Sequence, residues 1–228
     1  MNDYRTRIYA RYASKFQGQN AIFEAEPAER WGKTYSYHFR GWLPSDRSAS
    51  IVDVACGGGR LLHFFKLQGY VNLQGVDISP EQVLIARQVV AKVTEGSVID
   101  FLNAHPAEFD LITGLDIIEH FHKNEVLEFL DACGSALKVG GRLILQTPNA
   151  ETPWGTNLRY ADFTHEVCFT PDALIRLLRL CGFSDIEVRE QGPPATGYSV
   201  PCSLRFLLWR CVRQLLRFYN VIETGAGC

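Results

Sequence analysis

None of the seven cysteines of this 228-residue chain stands in a Cys-x-x-Cys pair, and their number is odd. Neither a disulfide framework nor a zinc site is expected from them, and free thiols suit a reducing cytoplasm. Net charge is also scarce: 23 basic against 25 acidic residues leave −2, which gives no clustered basic surface for duplex nucleic acid. No nucleic-acid partner is expected. Apolar runs of membrane-spanning length are missing, and the first residues, with Asp3, Arg5, Arg7 and Arg11, have no signal-peptide core, so the expected location is cytoplasmic. Two phosphate-binding signatures are incomplete. Gly57 and Gly59 are followed by Leu62 where G-x-G-x-x-G needs its third glycine, and no Gly-Lys-Ser/Thr follows. Dinucleotide and triphosphate ligands are disfavoured. An NAD-dependent oxidoreductase would share the glycine turn and Asp77 but needs a pyrophosphate site that is not displayed.

What the chain does carry is a short β-branched run at residues 51–55 that ends in Gly57-Gly58-Gly59, and a second apolar run at 73–78 that contains Asp77. A strand covered on both faces that ends in a glycine turn lets a ligand approach the backbone closely. An acid at the end of the next strand can accept hydrogen bonds from both hydroxyls of a ribose. Together they describe a nucleoside-binding crevice.

The order of elements agrees. A helical pattern at 3–16 and an aromatic segment at 28–42 precede alternating strands and helices from Ile51 onward, with strands at 93–98, 109–115, 142–147 and 186–188 and helices at 126–137 and 172–180. Such alternation demands an α/β, Rossmann-like, doubly wound and mostly parallel sheet of six or seven strands with helices on both faces. With 46% hydrophobic residues the chain can bury one good core. A single domain over 1–228 is expected, with an N-terminal helical lid (1–45), a cofactor-binding core (46–190) and a C-terminal helical extension (191–228). No seventh strand is visible after Val188. Either the sheet closes with six strands or the native chain continues past Cys228, and an open sheet edge would favour a homodimer.

Four segments in register, 52–59, 75–79, 109–120 and 140–149, resemble the successive motifs of class I S-adenosylmethionine-dependent methyltransferases. The resemblance covers roughly residues 35–190. It implies S-adenosyl-L-methionine as cofactor, with Ala55, Cys56, Gly57 and Gly59 against its methionine part, Asp77 on the ribose and Ile78 flanking the adenine. The backbone around Leu115 would line the sulfonium side, and Arg40 would reach the cofactor carboxylate. Asp53 would support the glycine turn by accepting backbone hydrogen bonds. Where many relatives place Gly-Asp near the adenine amino group, this chain has Gly96-Ser97 before Val98. The contact then falls to the Ser97 hydroxyl or to Asp100.

Methyl transfer from a sulfonium is an in-line displacement, so the protein mainly aligns the acceptor and excludes water. An alcohol must also lose its proton. Candidate bases are His165 and His120, with Asp162 or Glu119 to orient them. Asp116, Glu119 and His120 could instead hold Mg²⁺ or a similar hard cation that lowers the acceptor's pKa, and quinone-pathway O-methyltransferases have a similar Glu-x-x-Glu-His segment. For His120, capping of the next helix is the structural alternative. Residues 147–155 and 162–165 resemble, more loosely, bacterial methyltransferases that modify sugars of surface polysaccharides, which makes a sugar hydroxyl the first expected acceptor. A phenolic or quinone-like metabolite is the alternative, favoured by an apolar pocket over one lined by Asp162, Asn149 and Arg159. A non-catalytic cofactor-binding scaffold is the third reading.

Residues 203–219 form an amphipathic helix with Leu204, Leu207, Leu208, Cys211, Val212, Leu215, Leu216, Phe218 and Tyr219 on one face and Arg210, Arg213 and Arg217 opposite, Arg205 and Phe206 being exceptions. Two readings stand: packing on its own domain or a partner subunit, and peripheral docking on an anionic membrane.

Overall fold

The sheet is built around β1 (Ser50–Val54), whose run Ile51, Val52, Asp53 and Val54 is buried from end to end as a central parallel strand requires. In this computed structural model, which describes residues 4–193 and 199–225, α1 (Tyr4–Tyr9), a π-helical turn (Tyr12–Phe16) and α2 (Ala25–His38) precede it. After β1 come α3 (Arg60–Leu67), β2 (Asn72–Asp77), α4 (Pro80–Ala86), β3 (Val93–Glu95), α5 (Val98–Asn103) and β4 (Phe109–Leu115). A 3₁₀ turn (Ile118–His120), α6 (Lys123–Ala136), β5 (Leu137–Gln146), α7 (Gly155–Ala161), α8 (Pro171–Leu180) and α9 (Val200–Thr224) complete the described elements.

The five strands run in the order β3-β2-β1-β4-β5 and every pairing is parallel. The chain leaves β1 toward β2 on one side and returns to β4 on the other. That reversal opens a crevice at the carboxyl ends of β1 and β4, where α/β sheets bind ligands. Val52, Val54, Val76 and Ile112 face α5 and α6, packing with Phe101, Leu102, Phe129 and Leu130. On the other face Leu62 and Phe65 of α3 and Val83 of α4 are fully buried. Truncating one of the central phenylalanines to alanine would cost about 3–5 kcal/mol.

Among the described residues the sheet has five strands, which corrects the expectation of six or seven. Residues 186–188 form no strand, and two features account for it: Asp185 takes φ +50, which breaks an extended run, and Val188 is 52% exposed, so the segment lacks the burial of an inner strand. Of the helix expected over 3–16, residue 3 lies outside the described residues and α1 is described from Tyr4, while α7 is an element the sequence pattern did not indicate. Part of the Gly/Pro-rich linker, 194–198, and the end of the chain, 226–228, lie outside the described residues.

Contacts divide the chain into two compact units, Met1–Gly32 with Leu43–Glu187, and Lys33–Trp42 with Val188–Cys228. The first holds the sheet and the crevice. In the second, the Arg189 guanidinium stacks 3.8 Å over the Trp42 ring and donates to the carbonyls of His38 and Arg40. One face of α9 meets this unit through Trp209, against Gly192, and through Arg213, paired with Glu190. Among the described residues no helix is long and apolar enough to cross a membrane.

Candidate active site

The turn after β1 alternates left-handed residues, Ala55 (φ +53), Gly57 (φ +52) and Gly59 (φ +86), so the backbone folds back sharply at the strand's carboxyl end. The two outer glycines serve different purposes. A Cβ on Gly59 would sit 3.1 Å from the Ala86 Cα, so this position lets α4 close on the turn. A Cβ on Gly57 would meet only the Gln82 Oε1 at 3.9 Å, which leaves open space above the turn for a ligand. Cys56 is buried behind it as a small packing residue, and burial pushes its thiol well up.

Asp77 closes this half of the crevice. Its Oδ2 accepts the Gly57 N–H at 2.8 Å and its Oδ1 accepts the Ser79 N–H at 2.8 Å. Each oxygen retains a lone pair for a ribose hydroxyl. Burial raises the pKa of this carboxyl above the ordinary range, and the two backbone donors pull it back. The support expected of Asp53 is thus given by Asp77. Asp53 instead accepts the Thr113 hydroxyl at 2.8 Å between β1 and β4, and burial pushes it up to about 7.

The remaining expected cofactor residues are dispersed. Ile78, next to Asp77, is 51% exposed, and Leu115 ends β4 half-buried. Ser97 caps α5 by accepting the Asp100 N–H, while Val98 packs into the core. Arg40 lies in the second unit, donating to the Tyr37 carbonyl at 2.7 Å with its guanidinium over the Tyr37 ring.

The other half of the crevice follows β4. Glu119 is 1% exposed and neither carboxylate oxygen makes a well-formed hydrogen bond; desolvation, with the Asp116 charge, pushes it up to about 8, and its own backbone and the nearby Thr147 hydroxyl only partly offset this. Its own carbonyl accepts the N–H groups of Glu166 and Val167, which fastens the loop after α7 against the 3₁₀ turn. That fastening brings the ring centroids of His120 and His165 to 4.8 Å, edge to face. Ligand atoms of Glu119, His120 and His165 all lie within 4.8 Å of one another. Asp116, expected in this set, is outside it; at φ +53 it turns to the Gln146 side-chain amide, which donates to both its oxygens.

Both imidazoles have their tautomers fixed from behind. The Nδ1 of His165 is 2.9 Å from the Leu158 carbonyl, which only accepts, so Nδ1 carries the proton. For His120 the partner is Thr164, which sequence reasoning overlooked. The Thr164 hydroxyl, fully buried, donates to Asp162 Oδ1 at 2.6 Å and lies 2.9 Å from His120 Nδ1. A hydroxyl has one proton, so His120 Nδ1 must donate to it. Each ring is left with a bare Nε2. Desolvation, together with neighbouring His165, pulls His120 down to about 4, so it is neutral at ordinary pH. The Asp162-x-Thr164 spacing, closed by the Thr164 N–H on Asp162 Oδ1, was the available signal.

Arginines hold the surrounding backbone. Arg159 donates to the carbonyls of His165 and Glu166, and Arg5 donates to the His120 carbonyl at 2.9 Å and to both oxygens of Glu125. From α1, Tyr4 bonds Glu166 and Tyr9 reaches Thr164, so residues of the N-terminal helix take part in the site.

Comparisons with known proteins agree with this geometry. A family model described as a methyltransferase domain matches residues 25–188. A ubiquinone biosynthesis O-methyltransferase of Xylella fastidiosa is 34% identical over 109 residues, 44% of this chain and 42% of that protein. One from Idiomarina loihiensis is 26% identical over 157 residues, 60% of this chain and 63% of its own. The chain therefore spans less than two thirds of the length of these curated relatives. Among solved structures, a SAM-dependent methyltransferase from Archaeoglobus fulgidus superposes with TM-score 0.62 at 21% identity, covering 92% of this chain and 91% of that one. A Haemonchus contortus phosphoethanolamine N-methyltransferase, in complex with S-adenosyl-L-methionine, gives 0.59 at 16% identity over 96% of this chain and 49% of its own. At these identities the superpositions speak for the fold alone. With a glycine turn open to a ligand, Asp77 at the end of β2 and a family model that spans most of its length, the chain belongs to the family of S-adenosyl-L-methionine-dependent methyltransferase domains.

Proposed function

We propose that the chain methylates a hydroxyl of a phenolic or quinone-like small molecule, with a divalent cation held by Glu119, His120 and His165. The observation that carries this reading is the buried Glu119 carboxylate, without a well-formed hydrogen bond, beside two imidazoles whose Nδ1 protons are already committed. Histidine ligands of metals are oriented by such second partners on the other ring nitrogen. Ionised Glu119 and neutral His120 are what a cation requires, and a positive charge there would offset the desolvation that raises one and lowers the other. Two imidazoles and one carboxylate suit a transition-metal ion such as Zn²⁺ or Mn²⁺ better than the Mg²⁺ first expected, which prefers oxygen ligands.

Bound S-adenosyl-L-methionine supplies an activated methyl group on a sulfonium, and a cation supplies a lowered pKa for the acceptor hydroxyl. The chain's own residues do the rest. Gly57 and Asp77 hold the nucleoside, while Thr164, Leu158, Arg5 and Arg159 fix the two imidazoles and the backbone that carries them. A histidine near pKa 4 is a weak base for a phenol with pKa near 10, which is why the cation reading is preferred over His120 acting alone. A second reading, with His165 Nε2 as a metal-free base, rests on its tautomer being set by Leu158.

Support for the acceptor comes from two sides. The relatives named above favour a phenolic or quinone-like hydroxyl over the sugar hydroxyl expected first. Polar groups that would line a sugar pocket are engaged within the loop: Asp162 with Thr164, Asn149 with the Glu151 N–H, and Arg159 with two carbonyls. Exposed on the same stretch are Trp154, Tyr160 and Phe163, each above 70%, which offer flat apolar surface to a ring.

The test is release of S-adenosylhomocysteine from catechol, hydroquinone and sugar acceptors after treatment with a chelator, with Zn²⁺, Mn²⁺ or Mg²⁺ restored separately and cation binding followed by calorimetry. Loss on chelation, recovery with Zn²⁺ or Mn²⁺ and turnover of the phenolic acceptors are expected. Full activity in chelator together with no heat of cation binding would remove the cation, and turnover of sugars alone would remove the phenolic acceptor.

A further inference from the structure

The long helix α9 presents the wrong face to solvent for a helix that belongs only to its own unit. Leu204, Leu207, Leu208, Leu215, Phe218 and Ile222 are each more than half exposed. At 100° per residue these six fall within a band roughly 100° wide that runs the length of the helix. Its opposite side, with Trp209 and Arg213, is the one engaged by Gly192 and Glu190. Amphipathic helices of globular proteins bury their apolar stripe, so this one has an occupant still to be named.

Charge decides which occupant. The Val200–Thr224 segment contains four arginines, Arg205, Arg210, Arg213 and Arg217, and a single acid, Glu223. Arg213 is paired with Glu190, while Arg205, Arg210 and Arg217 are exposed and lie beyond the two margins of the apolar band. A second copy packed on the band would bring arginine margins against arginine margins with almost no acid between them, and like charges beside a seam disfavour pairing. An anionic bilayer supplies what is missing: hydrocarbon for the band and phosphate for the flanking guanidiniums, which long arginine side chains can reach from the interface. No described helix is long and apolar enough to cross a membrane, so the contact is a helix lying in the interface.

We infer that α9 is an interfacial helix that docks the protein on an anionic lipid surface, with Leu204, Leu208, Leu215, Phe218 and Ile222 inserted and Arg205, Arg210 and Arg217 on the lipid phosphates. This rests on α9 alone and is independent of the acceptor and of the cation.

The experiment is co-sedimentation of the full chain with vesicles of phosphatidylcholine alone and of phosphatidylcholine mixed with phosphatidylglycerol, at low and raised salt. Binding to the anionic vesicles, weakened by salt, is expected. An arginine near an anionic surface contributes about fivefold in affinity, so Arg205→Gln, Arg210→Gln and Arg217→Gln together are expected to lose about a hundredfold on anionic vesicles. Leu208→Glu with Leu215→Glu, both at exposed positions, is expected to abolish binding while leaving the circular dichroism and melting temperature unchanged. Equal sedimentation with both vesicle types, or variants that bind as the unaltered chain does, would overturn the inference. So would a dimer in sedimentation velocity that Leu208→Glu dissolves in the absence of any vesicle binding, because a second copy would then be the occupant.

Discussion

Replacing Thr164 by valine removes one hydroxyl from a fully buried position and changes almost no volume, so packing is preserved and only the hydrogen bonds are tested. Asp162 keeps the backbone N–H of residue 164, whereas the His120 Nδ1–H loses its acceptor. An orphaned buried donor costs about 1–3 kcal/mol, and in a chain of this size that lowers the melting temperature by about 2–12 °C. The effect on the site is separate. Without the Thr164 hydroxyl the His120 Nδ1–H loses its side-chain partner and the ring keeps only the backbone of residue 164, and loss of such an outer partner lowers cation affinity or activity by about 10–100-fold. Nitrogen NMR of the His120 ring reads the tautomer, calorimetry with Mn²⁺ reads the affinity, and Thr164→Ser, which keeps the hydroxyl, is expected to restore both. Valine at 164 with the original tautomer and the original affinity would refute the Asp162-Thr164-His120 chain, whatever happened to stability.

Two further outcomes follow from groups behind the crevice. Burial holds Asp53 up to about 7, above its unfolded value, so its contribution to stability is fully present below the unfolded pKa and is lost as pH rises through about 7. The stability advantage of the unaltered chain over Asp53→Asn should therefore shrink between about pH 4 and pH 7, by up to about 1.4 kcal/mol for each pKa unit of displacement, and urea unfolding at several pH values that gives parallel curves would contradict it. Alanine at 59 must take φ +86 with its Cβ 3.1 Å from the Ala86 Cα, while alanine at 57 shares the backbone strain but meets no close atom. Both substitutions are thus expected to lose about 1–3 kcal/mol of stability to the left-handed backbone, Gly59→Ala losing more because of Ala86 and Gly57→Ala losing cofactor affinity in addition, as read by melting and by calorimetry with S-adenosyl-L-methionine. Equal losses of stability would show that the two glycines do the same thing.

The crevice was legible in the chain because its signals are local. A β-branched run, three glycines and an acid closing the next strand report strand, turn and ligand contact within thirty residues, and β1, β2 and β4 stand where those runs place them. The sixth strand was misread because Ile186 and Val188 have strand-like side chains but lie beyond Asp185, whose left-handed backbone no residue pattern announces. Glu119, His120 and His165 were each visible, yet their convergence depends on the Glu119 carbonyl taking the Glu166 and Val167 amides across more than forty residues. Backbone bonds of that kind leave no trace in side-chain pattern. Asp116 was drawn into the metal set by helical spacing, and the short 3₁₀ turn with its left-handed entry sends it elsewhere. Thr164 was missed for the opposite reason: it titrates nothing and ligates nothing, and its importance appears only when the single proton of its hydroxyl is assigned.

The crevice has two halves, and they differ in how their acids are satisfied. Asp77, near Gly57, meets two backbone donors, so it can stay charged and bind hydroxyls without any added ion. Glu119 makes no well-formed hydrogen bond at comparable burial, with only its own backbone and the Thr147 hydroxyl near by. A fold that had no use for charge at that position would tolerate glutamine or leucine there with less loss of desolvation energy. The carboxylate therefore makes physical sense with a cation beside it, and one ring nitrogen each of His120 and His165 lies within 4.8 Å of it. Under the function proposed above, the hydrogen-bonded half of the crevice would bind the methyl donor. The other half would deal with the acceptor's proton, and a dependence on an added ion is what would separate it from a simple pair of histidine bases.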